Sequence, residues 1–343
     1  MHYDSISQLQ SCVANEAGYG SIFAQIARKS TKTTKNGHPY LEVNLADVAG
    51  NLTIKIWDNA PCYSAFLALQ EEASVAVTAT WQNSAYGIEA ADLDVRPLSP
   101  EEEHIMMTGG AELALRQEED WECICDLIDS LQDPRLGQLC RAMLENFESR
   151  FRRAGAARSV HHARRGGLVE HTAGVMRAAA AMCTAYPDLN RDLLLAGALF
   201  HDCGKMWENA YPEHSLAMPY AETGELLGHI SLGIEVINKL WTRLLTDERK
   251  TAWEALEPPT EQVRLHLLHL VASHHGSLEF GSPVVPKTPE ALALNHADNL
   301  DAKLEMMRNS YETGTTLAPH IRQGKKPLPG NPVTPLPAFT EAE

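Results

Sequence analysis

Residues 191–205 read RDLLLAGALFHDCGK, an apolar run that ends in the adjacent pair His201–Asp202. The run predicts a buried helix, and Gly204 is a natural place for that helix to stop. A buried carboxylate without a cation would be costly. Neutral imidazole and ionised carboxylate are ligands that divalent metals select. The segment therefore predicts a metal site at the end of a core helix.

Four other predicted helices each carry a residue of the ligand type on a face that also carries apolar side chains. These residues are His171, His229, His274 and Asp298. A single inward histidine on an apolar helix is more often a hydrogen-bonded core residue than a ligand. The adjacent His201–Asp202 pair reverses that expectation for the set, because helical bundles build metal centres from side chains on facing helices.

Length and composition indicate a globular protein of about two domains. The chain has 343 residues, of which 44% are hydrophobic and 22% charged. The longest apolar run, residues 193–200, is far shorter than the roughly 20 residues that span a bilayer. The first ten residues lack the features of a signal peptide, and the seven cysteines are scattered without Cys-x-x-Cys spacing. We therefore expect a reduced, cytoplasmic protein that does not associate with membranes.

Charge is distributed unevenly along the chain. The net charge of −16 argues against indiscriminate nucleic-acid binding over the whole surface. Residues 101–129 hold ten acids and one base, whereas residues 150–165 hold six arginines and no acid. The basic run leads directly into His171, so it is a candidate to bind the phosphates of a strand, although a solvated loop is an equal alternative. The candidate residues are His161, His162, Arg164 and Arg165.

The first hundred residues alternate apolar and polar side chains, as half-buried strands do. Strand patterns lie at residues 21–26, 40–45, 52–57, 75–81 and 87–95, with a helical stretch at 63–70. Three strands, a helix and two strands is the order of a five-stranded OB barrel. The segment also resembles the OB domains of nucleic-acid-binding proteins. Candidate contacts with single-stranded bases and phosphates are Tyr40, Trp57, Trp81, Lys32, Lys35 and Lys55, although each aromatic fits the barrel core equally well.

The whole chain is thus predicted to be a multidomain α and β protein. An N-terminal extension (1–18) precedes a five-stranded OB-fold β-barrel (19–98), a helical spacer (99–150) and an all-α domain (151–312). Ser99, Pro100 and two glutamates give the spacer's first helix a cap, a proline and acids in its first turn. The last segment (313–343) is rich in proline, so we expect it to be extended or disordered.

The histidine and aspartate pattern resembles that of the HD superfamily of metal-dependent phosphohydrolases. His171, the pair His201–Asp202 and Asp298 match its H…HD…D order. Further motifs follow in sequence: GHI (228–230), SHHG (273–276), EFGSP (279–283), PKTPEA (286–291) and ADNLDAK (297–303). With the OB segment in front, the chain resembles the YhaM-type 3′→5′ exoribonuclease family over about residues 20–310, most clearly in the helical half.

The resemblance implies a set of metal ligands. His171, His201, Asp202 and Asp298 would hold a first divalent cation. Asp202 would bridge to a second cation bound by His229 and His274, with His275 as a further ligand or a substrate contact. This mixture of imidazole and carboxylate favours Mn²⁺ or Fe²⁺, while Mg²⁺, Co²⁺ and Zn²⁺ are compatible with it.

The resemblance also implies an activity. A metal-activated hydroxide would attack the terminal phosphodiester of single-stranded RNA, or DNA, and release 5′-mononucleotides from the 3′ end. Asp202 would be catalytic as the bridging ligand, and Lys205 would stabilise charge on the phosphoryl oxygens. For Lys205 the alternative is a solvated lysine at a helix end.

Two other functions are compatible with the sequence. The first is an HD-type phosphodiesterase acting on a small cyclic or dinucleotide, although residues 276–283 lack the Gly-Tyr-Pro of cyclic-di-GMP phosphodiesterases. The second is an RNA-binding adaptor with a lapsed metal site, which the complete ligand set disfavours. The sequence leaves open the native metal, the choice between RNA and DNA, and the oligomeric state. It is compatible with a homo-oligomer.

Overall fold

The computed structural model describes residues 1–14, 16–84, 87–157 and 162–339. Buried apolar side chains form one core in the N-terminal half and another in the helical half. The N-terminal core is built on a sheet, and the second core lies among helices. The ligand-type residues lie in the helical half.

The N-terminal half is an antiparallel sheet with two short helices. Its strands are β1 (Gly18–Thr33), β2 (Pro39–Ala46), β3 (Asn51–Trp57), β4 (Ser74–Ser84) and β5 (Gly87–Pro97), and its helices are α1 (Ile6–Cys12) and α2 (Tyr63–Ala68). The strand order is β3-β2-β1-β4-β5. Leu41, Val43 and Leu45 point into the core while their neighbours on β2 face outward, as the alternation in the sequence predicts.

The predicted closed barrel is wrong, because the sheet remains open. Strand β1 is long enough to pair with β2 through one half and with β4 through the other, and bulges interrupt the register of β1 with β2 and of β4 with β5. Bulges bend and twist a sheet, and the edge strands β3 and β5 come near each other. Within the described residues they do not pair. Alternation specifies the buried face of each strand but not the stagger that closure requires.

The remainder of the described chain is mainly helical. Its helices are α3 (Pro100–Thr108), α4 (Ala111–Asp129), α5 (Pro134–Arg153), α6 (Gly167–Ala185), α7 (Arg191–Phe200), α8 (Lys205–Glu208), α9 (Glu222–Leu244), α10 (Asp247–Glu254), α11 (Thr260–Ser273) and α12 (Pro289–Thr313). Helix α7 is buried from Leu193 to Phe200 and packs against α6, α11 and α12. The predicted capping box of Ser99 with Glu102 is present at the start of α3. Among the described helices, none has the length and apolarity needed to cross a membrane.

One connecting segment ties the helical half to the sheet, and the C-terminal segment packs along the helical half. The loop between α8 and α9 docks on β1, where Gln25 donates to the carbonyl of His214 (3.0 Å) and accepts from the amide of Leu216 (2.8 Å). The proline-rich C-terminal segment forms a small hairpin of β6 (Thr316–Ala318) and β7 (Ile321–Arg322). It then runs beside α12, where Tyr311 donates to the carbonyl of Val333 (3.0 Å). Composition alone predicts an extended or disordered segment here and does not predict this hairpin.

Candidate metal centre

The ligand-type residues come from five helices and meet at the end of α7. His171 lies in the second turn of α6, His201 caps α7, His229 follows a kink at Gly228 in α9, His274 caps α11, and Asp298 lies on α12. Gly204 allows this convergence, because a Cβ atom there would lie 1.9 Å from the carbonyl oxygen of His229. The glycine after the His–Asp pair therefore lets α9 approach closely.

One side of the cluster combines His171, His201, Asp202 and Asp298, and we call it the carboxylate-rich side. The Nε2 atom of His171 lies 3.2 Å from Nε2 of His201, 3.2 Å from Oδ1 of Asp298 and 3.5 Å from Oδ2 of Asp202. The Nε2 atom of His201 is also 3.5 Å from Oδ2 of Asp202. Two imidazole nitrogens and two carboxylates thus point at one small volume, which is the arrangement of metal ligands.

The opposite side combines His229, His274 and His275 around the other oxygen of Asp202, and we call it the imidazole-rich side. Oδ1 of Asp202 lies 3.4 Å from Nε2 of His229 and 3.6 Å from Nε2 of His274. These three buried atoms have no hydrogen-bond partner among the described residues. One nitrogen from each of the three histidines lies within 4.8 Å of the others. Buried polar atoms are normally satisfied, so this set fits a bound cation.

All five imidazoles of the cluster use Nδ1 for a hydrogen bond. The acceptors are Asp301 Oδ2 for His171 (2.8 Å), the Ala198 carbonyl for His201 (2.7 Å), Glu208 Oε1 for His229 (3.1 Å), the Val271 carbonyl for His274 (2.7 Å) and the Phe280 carbonyl for His275 (2.7 Å). An Nδ1 atom that donates leaves a lone pair on Nε2. Metal-binding histidines are typically oriented in this way.

The electrostatics favour ionised carboxylates beside a neutral His201 and a positive charge at His171. Burial lowers the pKa of His201 to about 4, so this imidazole is neutral at pH 7. Burial acts to raise the pKa of Asp202, but the charge of Lys205 holds it well below its usual value. Burial likewise acts to lower the pKa of His171, yet its contacts with three aspartates raise it well above the usual value. The negative charge that favours protonated His171 would equally favour a divalent cation.

Lys205 lies beside the cluster and contacts its central carboxylate. Its Nζ atom is 2.7 Å from Oδ2 of Asp202, and the side chain is largely buried. Burial acts to lower the pKa of Lys205, but the charge of Asp202 raises it above its ordinary value. The lysine is therefore a fixed positive charge at the centre rather than a solvated helix-end residue.

Sequence reasoning missed the residues that orient His171. Asp301 accepts from His171 and lies 3.1 Å from Nε2 of His162, which is itself buried next to Glu170 (3.5 Å). Gly174 leaves room for this arrangement, because a Cβ atom there would lie 2.1 Å from Oδ1 of Asp301. A signal was available, since Asp301 follows Asp298 by three residues and therefore shares its face of α12.

Among the described residues of the basic run before His171, Arg164 and Arg165 contact other parts of the protein. Arg164 pairs with Glu170 and with Glu305 (3.1 Å). Arg165 donates to the carbonyl oxygens of Pro212 and Glu213, both at 3.2 Å. His162 is buried, as described above, and His161 lies outside the described residues. The phosphate-binding role of these four residues stays a prediction.

The candidate nucleic-acid residues of the sheet divide between its two faces. Tyr40 and Trp57 stand opposite each other on β2 and β3, with ring centroids 5.2 Å apart on the outer face. Lys55 is exposed on the same face of β3, and Lys35 is exposed in the turn between β1 and β2. Trp81 instead is buried, with its indole donating to the carbonyl of Gly20 (2.9 Å). Of the three aromatics, Trp81 belongs to the core.

Next to Tyr40 on the outer face lies Lys32 of β1, its partner in register. Lys32 is paired with Glu42 at 2.5 Å. A row of Lys32, Tyr40 and Trp57 therefore crosses three adjacent strands of the sheet.

Comparison with known proteins identifies the helical half. The HD domain family matches residues 168–303, which contain every ligand-type residue of the cluster. The fold and the site thus define an HD-domain hydrolase. The 3′-5′ exoribonuclease YhaM of Bacillus subtilis is 32% identical over 289 residues, covering 84% of this chain and 86% of its own length. The corresponding protein of a Geobacillus species is 33% identical over 292 residues, covering 85% of this chain and 84% of its own. The chain belongs to the YhaM family, which confirms the resemblance found in the sequence.

Among solved structures, the second OB-fold domain of replication protein A from Methanococcus maripaludis aligns with the chain. The alignment covers 29% of this chain and 96% of that domain, with 19% identity and a TM-score of 0.21. This likeness is too low to carry a functional conclusion.

Proposed function

We propose that the protein is a metal-dependent exonuclease that hydrolyses single-stranded RNA from its 3′ end and releases 5′-mononucleotides. The observation that carries this proposal is the cluster of unsatisfied buried atoms on Asp202, His229 and His274. The relatives named above are 3′-5′ exoribonucleases, which supports the substrate and the direction of cleavage. Single-stranded DNA is a second substrate of the same chemistry.

We infer that the centre holds two divalent cations, with Mn²⁺ or Fe²⁺ favoured by the donor set. The carboxylate-rich side would hold one and the imidazole-rich side the other, with the two oxygens of Asp202 facing different sides. Bound cations would supply an activated water near neutral pH and stabilise charge on the phosphoryl group. His275 lies at the edge of the imidazole-rich side, as a further ligand or a substrate contact.

The protein's own residues orient the reaction. The hydrogen bonds at Nδ1 hold the five imidazoles with Nε2 facing inward, so little reorganisation accompanies catalysis. Lys205 fixes the position of Asp202 and places a positive charge where the non-bridging phosphoryl oxygens would lie. In this proposal Asp202 and Lys205 are the catalytic residues.

The outer face of the sheet supports a role as an OB-type surface for single-stranded nucleic acid. Tyr40 and Trp57 offer faces on which bases can stack, and Lys32, Lys35 and Lys55 offer charge for the backbone. Glu42 lies between Lys32 and Lys55 on this face, so we expect modest affinity. The seven cysteines form no disulfides, which supports action in the reducing cytoplasm.

The test is a time course on single-stranded RNA and DNA labelled at the 5′ end, using the full-length protein with Mn²⁺. Labelled products should shorten one nucleotide at a time from the 3′ end, and 5′-mononucleotides should accumulate. EDTA should stop the reaction and added Mn²⁺ should restore it. Cleavage of small cyclic or dinucleotides with oligonucleotides left intact would contradict the proposal.

A matched pair of variants controls this experiment. Asp202→Ala should abolish cleavage, because it removes the carboxylate that both sides of the centre share. Asp188→Ala removes an exposed carboxylate in the loop between α6 and α7 and should leave the rate unchanged. Normal cleavage by Asp202→Ala would show that the cluster is not the catalytic site.

A further inference from the structure

The loop that follows His275 belongs to the family pattern, and no side chain of residues 278–283 is among the candidate metal ligands. It contains the EFGSP motif at residues 279–283 and a 3₁₀ turn over Leu278–Phe280. The loop is well fixed, because the amide of Phe280 donates to the carbonyl of Ser277 (3.1 Å) and Ser282 Oγ donates to the carbonyl of Ala272 (3.2 Å). Its conformation is therefore defined by hydrogen bonds although it lies at the surface.

Phe280 is held next to the metal centre by its own carbonyl group. That oxygen accepts the Nδ1 hydrogen of His275 at 2.7 Å, so one hydrogen bond separates the residue from a candidate metal ligand. Yet the Phe280 side chain is 71% exposed, and Leu278 in the same turn is 65% exposed. A hydrogen-bonded loop that presents two large apolar side chains to water suggests a binding surface.

A second apolar segment approaches the same point from α9. Leu226 and Leu227 are 74% and 51% exposed and directly precede the kink at Gly228. His229 follows the kink, and its ring centroid lies 5.1 Å from that of His275. Each segment is therefore joined to one histidine of the imidazole-rich side, Leu226 and Leu227 through the chain leading to His229 and Phe280 through its hydrogen bond with His275.

We propose that Phe280 is the stacking platform for the base of the 3′-terminal nucleoside, with Leu226 and Leu227 bordering the same subsite. This inference rests on the proposed exonuclease function. When the terminal phosphodiester lies at the metal centre, the nucleoside to be released is attached directly to it. An exposed aromatic one hydrogen bond from the centre is suitably placed to receive that base.

The chemistry of the platform explains how the enzyme would accept any base. Every base has a π-face, so stacking on an aromatic side chain tolerates sequence differences. An exonuclease that removes successive nucleotides needs this tolerance at its terminal subsite. A second copy of the chain is the competing occupant of an exposed apolar surface. The terminal base is favoured because both segments are attached directly to histidines of the centre, Phe280 by its hydrogen bond with His275 and Leu227 by the chain leading to His229.

The kinetic test compares Phe280→Ala with Phe280→Tyr in the full-length, Mn²⁺-loaded enzyme on single-stranded RNA. Phe280→Ala should raise KM about 10-fold, the effect expected for loss of one base–aromatic stack, and Phe280→Tyr should keep KM within about 2-fold of wild type. Tyr186→Ala is the control, because Tyr186 is 66% exposed at the far end of α6 and should not affect KM. An unchanged KM in Phe280→Ala would overturn the inference.

A binding measurement tests the same contact without turnover. The probe is an RNA with 2-aminopurine as its 3′-terminal base. In its terminal linkage a methylene group replaces the bridging 3′ oxygen, so that this bond to phosphorus cannot be hydrolysed. Wild-type protein should quench this fluorescence by stacking, Phe280→Ala should lose most of the quenching, and 2-aminopurine at the 5′ end should be unaffected by the variant. Equal quenching by both proteins would contradict the platform.

Two further outcomes separate this inference from its alternatives. If wild-type enzyme does not shorten RNA but still quenches the 3′-terminal probe through Phe280, the proposed function fails and the platform stands. If Phe280→Ala changes the oligomeric state in light scattering, a second copy of the chain occupies the surface and the inference is overturned. Mn²⁺ affinity should be unchanged in Phe280→Ala, since the His275 hydrogen bond uses the backbone.

Discussion

The metal centre and the outer face of the sheet are built on opposite principles. His171, His201 and His274 are fully buried, and each has its orientation fixed by a hydrogen bond at Nδ1. On the sheet, Trp57 is 48% exposed and Lys55 lies on the open surface. Reaction chemistry requires fixed, buried groups, whereas strand capture can use exposed ones. Changes in the centre should therefore affect kcat and metal affinity, and changes on the sheet should affect KM and salt dependence.

The largest effect is expected for Asp202→Ala. Because both oxygens of Asp202 face ligand nitrogens, its loss should remove cations from both sides of the centre and lower kcat by more than about 10³-fold. Asp298→Ala should remove only the cation of the carboxylate-rich side. Metal analysis of the purified proteins, together with calorimetric titration of Mn²⁺, measures both expectations.

Two metal ions retained by Asp202→Ala would contradict the bridging role of this residue. If KM rises as much as kcat falls, the centre also captures the strand, and the division of roles between the centre and the sheet does not hold. Thermal unfolding of the metal-free proteins shows whether either variant fails to fold. Added Mn²⁺ should raise Tm in the wild type and leave it unchanged in Asp202→Ala.

The second-largest effect, a loss of metal affinity, is expected for a change at Asp301, which orients His171. Asp301→Asn removes the charge that holds Nδ1 of His171 while keeping the size of the side chain. Loss of such an outer partner lowers metal affinity or activity about 10- to 100-fold. Titration of Mn²⁺ should show the weaker affinity at one class of site, with KM for RNA nearly unchanged.

A matched change on the other side of the centre is Glu208→Gln. Glu208 contacts Nδ1 of His229 as Asp301 contacts Nδ1 of His171, so its loss should weaken the site of the imidazole-rich side instead. The double variant should weaken both sites. Equal loss at both sites in each single variant would show that the two sides do not act separately.

The sequence predicted the candidate ligands because their chemical type and position on apolar helices are visible in it. It could not identify what fixes them, since the acceptors for His201 and His274 are backbone carbonyls of Ala198 and Val271. Every residue has a backbone carbonyl, so such an acceptor cannot be recognised from the residue type. Likewise, Arg164 appeared as a free basic residue, but its partner Glu305 is distant in the sequence and reaches it only through the packing of α12.

The same limit applies to the sheet. Alternation located all five strands, whereas the pairing of Tyr40 with Trp57 across β2 and β3 is visible only in the structure. Closure of the sheet depends on how β3 and β5 are offset along their lengths. The alternation within a single strand contains no information about that offset. Local patterns therefore predicted the elements and the ligand types, whereas non-local packing determined closure and the orientation of side chains.

A smaller effect, confined to binding, is expected on the sheet. Trp57→Ala removes half of the Tyr40–Trp57 pair and should raise KM for single-stranded RNA about 10-fold, with kcat unchanged. Tyr19→Ala is the control, since Tyr19 is an exposed aromatic near the start of β1, away from this pair. A fall in kcat without a change in KM would show that the sheet acts on the reaction centre rather than on strand capture.

The smallest effect is expected for Lys55→Ala. Lys55 stands opposite Glu42 in register, so part of its charge is already balanced and its loss should weaken RNA binding only about 2- to 3-fold. Because one phosphate contact on a single strand contributes about 0.7 to the slope of log affinity against log salt, that slope should decrease by at most this amount. Lys35→Ala removes an exposed lysine in the neighbouring turn and serves as the comparison. If binding to the wild type does not depend on salt at all, charge on this face has no part in capturing the strand, and the aromatic pair would act alone.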